Sequence, residues 1–149
     1  MQSLQARQHW MSVLSSSPPD LLLTHWQALK LKPGYQTIRA PEIGLAQLQA
    51  RMGATGRRFV LGDMTVTRAV VQLEDGTYGY GYVAGRNKAH ADLCALIDAL
   101  LQRPEHQERL QQQLIEPLAA LRREQHQLRA RAIAASKVDF FTLVRGDNA

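Results

Sequence analysis

The pair Asp75-Gly76, set between two runs of alternating side chains, constrains this chain more than any other feature. Asp-Gly tolerates the positive φ values of a type I′ turn, so Thr65 to Glu74 and Thr77 to Val83 are predicted to form a hairpin with a two-residue loop. That turn fixes a register, with Leu73 opposite Tyr78, Val71 opposite Tyr80 and Ala69 opposite Tyr82 on one apolar, aromatic face. The other face then pairs Gln72 with Gly79, Val70 with Gly81 and Arg68 with Val83. Glycine weakens a strand and marks a place where another backbone or a ligand comes close, which makes Gly79, Gly81 and Arg68 a candidate docking patch. A β-bulge accounts for the same glycines equally well.

Around this hairpin the pattern predicts further strands at Tyr35 to Arg39, ended by Pro41, at Leu45 to Met52, and at Arg58 to Leu61, where Gly62-Asp63 turns the chain. Helical spacing of apolar residues predicts helices over Ser3 to Leu14 and Asp20 to Lys30. A third runs from Lys88 to Gln102, capped by Asn87. Pro104 opens a glutamine-rich helical segment, interrupted or restarted at Pro117 and reaching about Ser136. Val138 to Arg145 reads as a terminal strand too apolar to hang free in water. The expected architecture is one α+β domain over 1–149, with a mainly antiparallel sheet of about four to five strands flanked by N-terminal and C-terminal helices.

The net charge of +5 makes nucleic acid, nucleotides or acidic protein surfaces possible partners without choosing among them. No apolar run approaches the roughly 18 residues that a membrane span needs. With a single cysteine and no export signal at the N-terminus, the expected compartment is the cytoplasm. The segment Arg51 to Arg68 joins a glycine turn at Gly53 and Gly56 to Arg57 and Arg58. It suits a loop that meets an anion or an acidic partner, and a hairpin turn with solvated arginines fits equally. It is not a P-loop, because the six-residue glycine spacing and the Lys-Ser/Thr pair are missing. Arg122, Arg123, Arg129, Arg131 and Lys137 make the last helix basic, but no aromatic residues interleave with them. A solvated face is the first reading there and a protein interface the second.

No self-sufficient active site is visible. There is no Gly-x-Ser-x-Gly elbow, and the acidic residues are scattered: Glu42, Asp63, Glu74 and Asp75 at turn-type positions, Asp92 and Asp98 on the polar side of a helix. His90 and Cys94 are spaced as two ligands of a metal would be, but a site needs three or four, and a cysteine among leucines is commonly a small buried hydrophobe. Residues alone therefore give a basic, cytoplasmic α+β domain with interaction surfaces and no catalytic or metal-binding set of its own. An autonomous nucleotide-binding or nucleic-acid-binding domain is the competing reading.

The residues also resemble a known family. Arg7 to Leu14, Gln49 to Gly53 with Thr55-Gly56, Gly62-Asp63, Thr67 to Ala69, Asp75 to Thr77, Gly85-Arg86, Cys94 to Leu100, and Val138 to Phe141 with Val144 to Ala149 are similar, in order and spacing, to PhnG. PhnG is the small G subunit of the bacterial carbon-phosphorus lyase system. The resemblance implies a core complex with the H, I and J subunits (PhnH, PhnI and PhnJ), two copies of each. It implies an activity in which a phosphonate replaces the adenine of MgATP, giving ribose 1-methylphosphonate 5-triphosphate. It further implies that base displacement lies mainly with the I subunit and that a radical iron-sulfur step on J follows. No cofactor is expected on this chain. Arg51, Arg57, Arg58, Arg68 and Arg86 are the candidates for positioning anions, and Phe140, Phe141, Leu143, Val144 and Arg145 for docking a partner.

Overall fold

A computed structural model describes residues 4–51 and 58–147, with side chains over 4–47 and 62–136. The element around which it is built is the helix Lys88–Leu101, α3 in the chain order given below. Asn87 caps it by accepting a hydrogen bond from the His90 amide at 2.9 Å, as the sequence predicts. Ten of its 14 residues are buried, so it is wrapped on nearly all sides rather than lying on a surface.

Two helices precede the sheet: α1 (Leu4–Ser16), which buries Trp10, Val13 and Leu14, and α2 (Pro19–Ala28), which starts at a proline and buries Leu22. The sheet follows as β1 (Tyr35–Arg51), β2 (Arg58–Leu73) and β3 (Tyr78–Ala84), antiparallel and in sequence order. After α3 come α4 (Pro104–Leu110), a π-helical turn at Gln111–Ile115 and α5 (Glu116–Asp147). The α+β class stands, but the described residues hold three strands instead of four to five.

The count falls because two expected breaks do not interrupt pairing. Pro41 lies in β1 at a register shift between Arg39 and Glu42, where an edge strand tolerates a residue without an N–H. Tyr35 to Arg39 and Leu45 to Arg51 are thus one strand. Gly62 lies opposite Leu48 beside another shift, so Gly62-Asp63 is a bulge site within β2 and not a turn. The expected glycine turn at 53–56 lies outside the described residues.

The terminal segment 138–145 is helical, continuing α5 to Asp147. Its β-branched and aromatic content is a weak local preference, whereas extending an existing helix adds a hydrogen bond for each residue fixed. Pro117 is the second residue of α5, directly after the π-helical turn, whose wider winding accommodates the missing N–H.

The hairpin is where expected, but its register is off by one. The Gly76 amide donates to the Leu73 carbonyl at 3.0 Å and the Leu73 amide to the Thr77 carbonyl at 2.8 Å. Gly76 has φ of 98°, so the loop has three residues, Glu74-Asp75-Gly76, with the glycine in the left-handed region. Gln72 therefore pairs with Tyr78, Val70 with Tyr80 and Arg68 with Tyr82. A slip of one residue exchanges the two faces. Gly79, Gly81 and Val83 point inward with Val71, Ala69 and Thr67, while the three tyrosines share the open face with Arg68, Val70 and Gln72.

Gly79 and Gly81 are consequently not a docking patch for another molecule. A Cβ at Gly79 would overlap the Ala95 carbonyl oxygen and come within 2.7 Å of the Ala99 Cβ; one at Gly81 would overlap the Ala91 carbonyl oxygen. The backbone that approaches these glycines is that of α3, whose Ala91, Ala95 and Ala99 recur every four residues on the face against the sheet.

Candidate functional site

Among the described residues, three side chains able to do chemistry, Asp98, His90 and Cys94, are engaged in the core. Asp98 is fully buried and accepts from Trp10 Nε1 at 2.8 Å, from Arg7 Nη2 at 3.0 Å and from the Tyr80 amide at 3.0 Å. It joins α1, α3 and the edge strand β3. The expected place on the polar side of the helix is wrong: Asp98 interrupts an otherwise apolar run, Cys94 to Leu101, and such a lone acid was the available signal. The bond to Asp98 is the main cause that raises the Arg7 pKa above its ordinary value. Arg7 also lies 5.6 Å from the ring centre of Tyr80, within reach of a cation–π contact.

His90 Nε2 lies 2.9 Å from the Leu14 carbonyl oxygen, so this ring serves to anchor α1 on α3. Burial, with Asp98 second, pushes the Cys94 thiol up to about 12. It is a protonated packing residue. At pH 8 roughly one thiol in ten thousand is ionised, so the folded chain should resist iodoacetamide until denatured. Fast single alkylation of the native chain, read by mass, would contradict this. Among the described residues no three His, Cys, Asp or Glu side chains are grouped as metal ligands would be.

Two cavities among the described residues do not suit a nucleoside triphosphate. One of about 190 Å³ between α1 and the β3 edge is walled by Met11, Leu14, Tyr80, Tyr82 and Cys94, without a charged group. It has the size for an apolar side chain. Another of about 310 Å³ includes Glu74, Asp75 and Glu105 around Arg103, which already pairs with Asp75 at 2.5 Å and Glu105 at 3.3 Å. Those carboxylates repel an anion.

What remains exposed has the chemistry of an interface. One face of the sheet lies under α3; on the other, Tyr78, Tyr80 and Tyr82 are each 45–46% exposed beside half-buried Val70 and exposed Arg68. Tyrosine and arginine are the residue types that dominate protein-binding energy when a partner desolvates them. β3 pairs with β2 only from Val66 to Gln72, so 45–51 and 58–65 form a two-stranded ribbon beyond it. Leu45 on this ribbon is 70% exposed, and Ile43 just before it 43%. A two-stranded ribbon is marginal in water without something to lie against.

The named arginines fall into separate places. Arg68 is exposed on the tyrosine face opposite Glu42, and Arg86 is exposed in the turn before α3. Arg51 and Arg58 stand at opposed backbone positions at the far end of the ribbon. Ten residues of β2 separate Arg58 from Arg68, about 33 Å at the usual strand rise, so no one anion meets both. Arg57 lies outside the described residues, as do the side chains of Phe140, Phe141, Leu143, Val144 and Arg145.

Comparison with known proteins places these features in a family. The family model described as "Phosphonate metabolism protein PhnG" matches residues 5–146. A curated relative from Rhizobium meliloti (strain 1021), the alpha-D-ribose 1-methylphosphonate 5-triphosphate synthase subunit PhnG, is 37% identical over 142 residues, covering 95% of this chain and 90% of its own. With a match from α1 to the end of α5, the chain belongs to the PhnG family.

Proposed function

We propose that the chain is the accessory G subunit of a multi-subunit alpha-D-ribose 1-methylphosphonate 5-triphosphate synthase in organic phosphonate catabolism. The reaction couples MgATP and methylphosphonate. A phosphonate oxygen forms a bond to the anomeric carbon as the carbon–nitrogen bond breaks, and adenine leaves with that electron pair and takes up a proton. The partners are PhnH, PhnI and PhnJ, two copies of each, in the cytoplasm. MgATP is a substrate of the assembly, and metal and iron-sulfur sites belong to the other subunits.

The observation that carries this reading is the division within the chain: Asp98, His90 and Cys94 are consumed by packing, while Tyr78, Tyr80, Tyr82 and Leu45 are left largely exposed. Such a chain assists by holding neighbours in place and by lending charge. Two anions must approach each other in this reaction, and arginines fixed by a rigid scaffold reduce that repulsion. Arg68 and Arg86, and separately Arg51, Arg57 and Arg58, are the proposed donors of that charge. Phe140, Phe141, Leu143, Val144 and Arg145 are proposed to hold a neighbour at the end of α5.

Co-expression tests this directly. The tagged chain should retain the three larger partners, identified by mass, and the retained assembly should release adenine from MgATP only when methylphosphonate is present. The purified single chain should release none. Adenine release by that single chain, or recovery of the chain without any of the three partners, would overturn the proposal.

A further inference from the structure

The outward half of α5 leaves the body of the protein. Every side chain from Arg123 to Ser136 is exposed, although the same helix begins by burying Leu118, which is 2% exposed. From Leu118 the spacing of three and four residues continues through Leu121, Gln125, Leu128, Ala132 and Ala135. This is the a/d seam of a helix that packs against another helix. Its inner end is covered by this chain and its outer end is not, with Leu121 37% and Leu128 56% exposed.

The flanks of the seam are basic. Arg122 and Arg129 run along one side, and Glu124 and Arg131 along the other, the positions that choose partners in paired helices. Arg122 donates to Ser12 Oγ at 2.8 Å and Ser16 Oγ at 3.1 Å, which fixes it without neutralising it. Among the described residues no carboxylate forms an ion pair with Arg122, Arg123, Arg129 or Arg131.

We infer that Leu121 to Ser136 is a docking helix that lays this seam against an apolar helix of a neighbouring protein subunit flanked by carboxylates. The inference rests on the subunit reading given above. Charge selects the occupant. A second copy would bring three more arginines and only one more glutamate to the flanks of the seam. A nucleic acid would place its phosphates beside Glu124 and find leucine where stacking aromatics are needed. An anionic membrane would gain little, since the seam beyond the body offers two leucines and two alanines and no aromatic residue.

The experiment uses the complete complex. Two variants of the full chain, Leu128→Asp and the triple Arg122→Glu/Arg129→Glu/Arg131→Glu, are titrated against the assembly of the remaining subunits. Leu128 is exposed at a site away from the core, so helix content by circular dichroism should stay unchanged. Each variant should bind about 100-fold more weakly, because a charge reversed against a carboxylate rim or an acid placed in an apolar seam repels the partner. Wild-type affinity should fall as salt rises. In addition, Leu128→Cys bearing a photo-crosslinker should attach to a segment of a partner subunit rich in Asp and Glu. If wild type binds and both variants with intact helices bind equally well, the docking inference fails while the subunit reading stands. If wild type itself does not bind the other subunits, the subunit reading fails and this inference with it. Crosslinking of the chain to a second copy, or protection of the helix only by duplex DNA or by phosphatidylserine vesicles, overturns the inference.

Discussion

Replacing Asp98 with alanine is expected to lower stability by about 3 kcal/mol or more, because one partner is removed from a buried ion pair and several buried donors lose their acceptor. Arg7 is about one-third exposed in its side chain and regains water, so it contributes least to the loss. Trp10 Nε1 and the Tyr80 amide have no such recourse: Trp10 is fully buried, and the amide lies on the strand edge that Asp98 covers. Against a total stability typically of about 5–15 kcal/mol, this is a large share. Asp98→Asn should cost about 2 kcal/mol, since one carbonyl oxygen replaces two acceptors and its amide group faces another donor. Urea unfolding followed by tryptophan fluorescence would measure both. A change under 1 kcal/mol for Asp98→Ala would mean that α1 is held on α3 by apolar packing alone.

Gly81→Ala should be at least as damaging, by about 3 kcal/mol, because small-to-large changes in tight packing are costly and the opposing atoms here are helix backbone. The added methyl group would overlap the Ala91 carbonyl oxygen, so α3 must lift from the sheet. Trimming the neighbour should not help: Ala91→Gly leaves that oxygen in place, and the double variant should be no more stable than Gly81→Ala. Gly44→Ala is the matched control. A Cβ there meets only the Arg68 guanidinium, at 3.6 Å, an ordinary contact, so melting should shift by little. Equal melting temperatures for the Gly81 and Gly44 variants would show that the seat of α3 is looser than the geometry describes.

These two sites also show what could be read in advance. The glycines signalled a close backbone approach correctly, but which backbone approached depended on the register, and the register depended on one residue in the loop. Asp-Gly fits both a two-residue turn and the end of a three-residue loop, and the choice between them turns the tyrosines from core to surface. α1, α2 and α3 were legible because their apolar spacing, proline starts and Asn87 cap agree with one another. Asp98 was not, since its partners Arg7 and Trp10 lie about ninety residues away and no local pattern announces them. The helix at 138–145 was hidden by residues that favour strands locally, in a place where a helix was already running. The arginines were visible as a set, but only the length of β2 shows that they lie in two separate regions.

The π-helical turn at Gln111–Ile115 lies one turn before the outstretched arm, with Leu118 and Ala119 still buried after it. Since successive residues of a helix are offset by about 100°, loss of a single residue in this turn would rotate Leu118 away from its buried seat and swing Leu121 and Leu128 to another compass bearing with it. The chain thus carries a rotary setting, and the extra residue wound into that turn determines which way its leucines look.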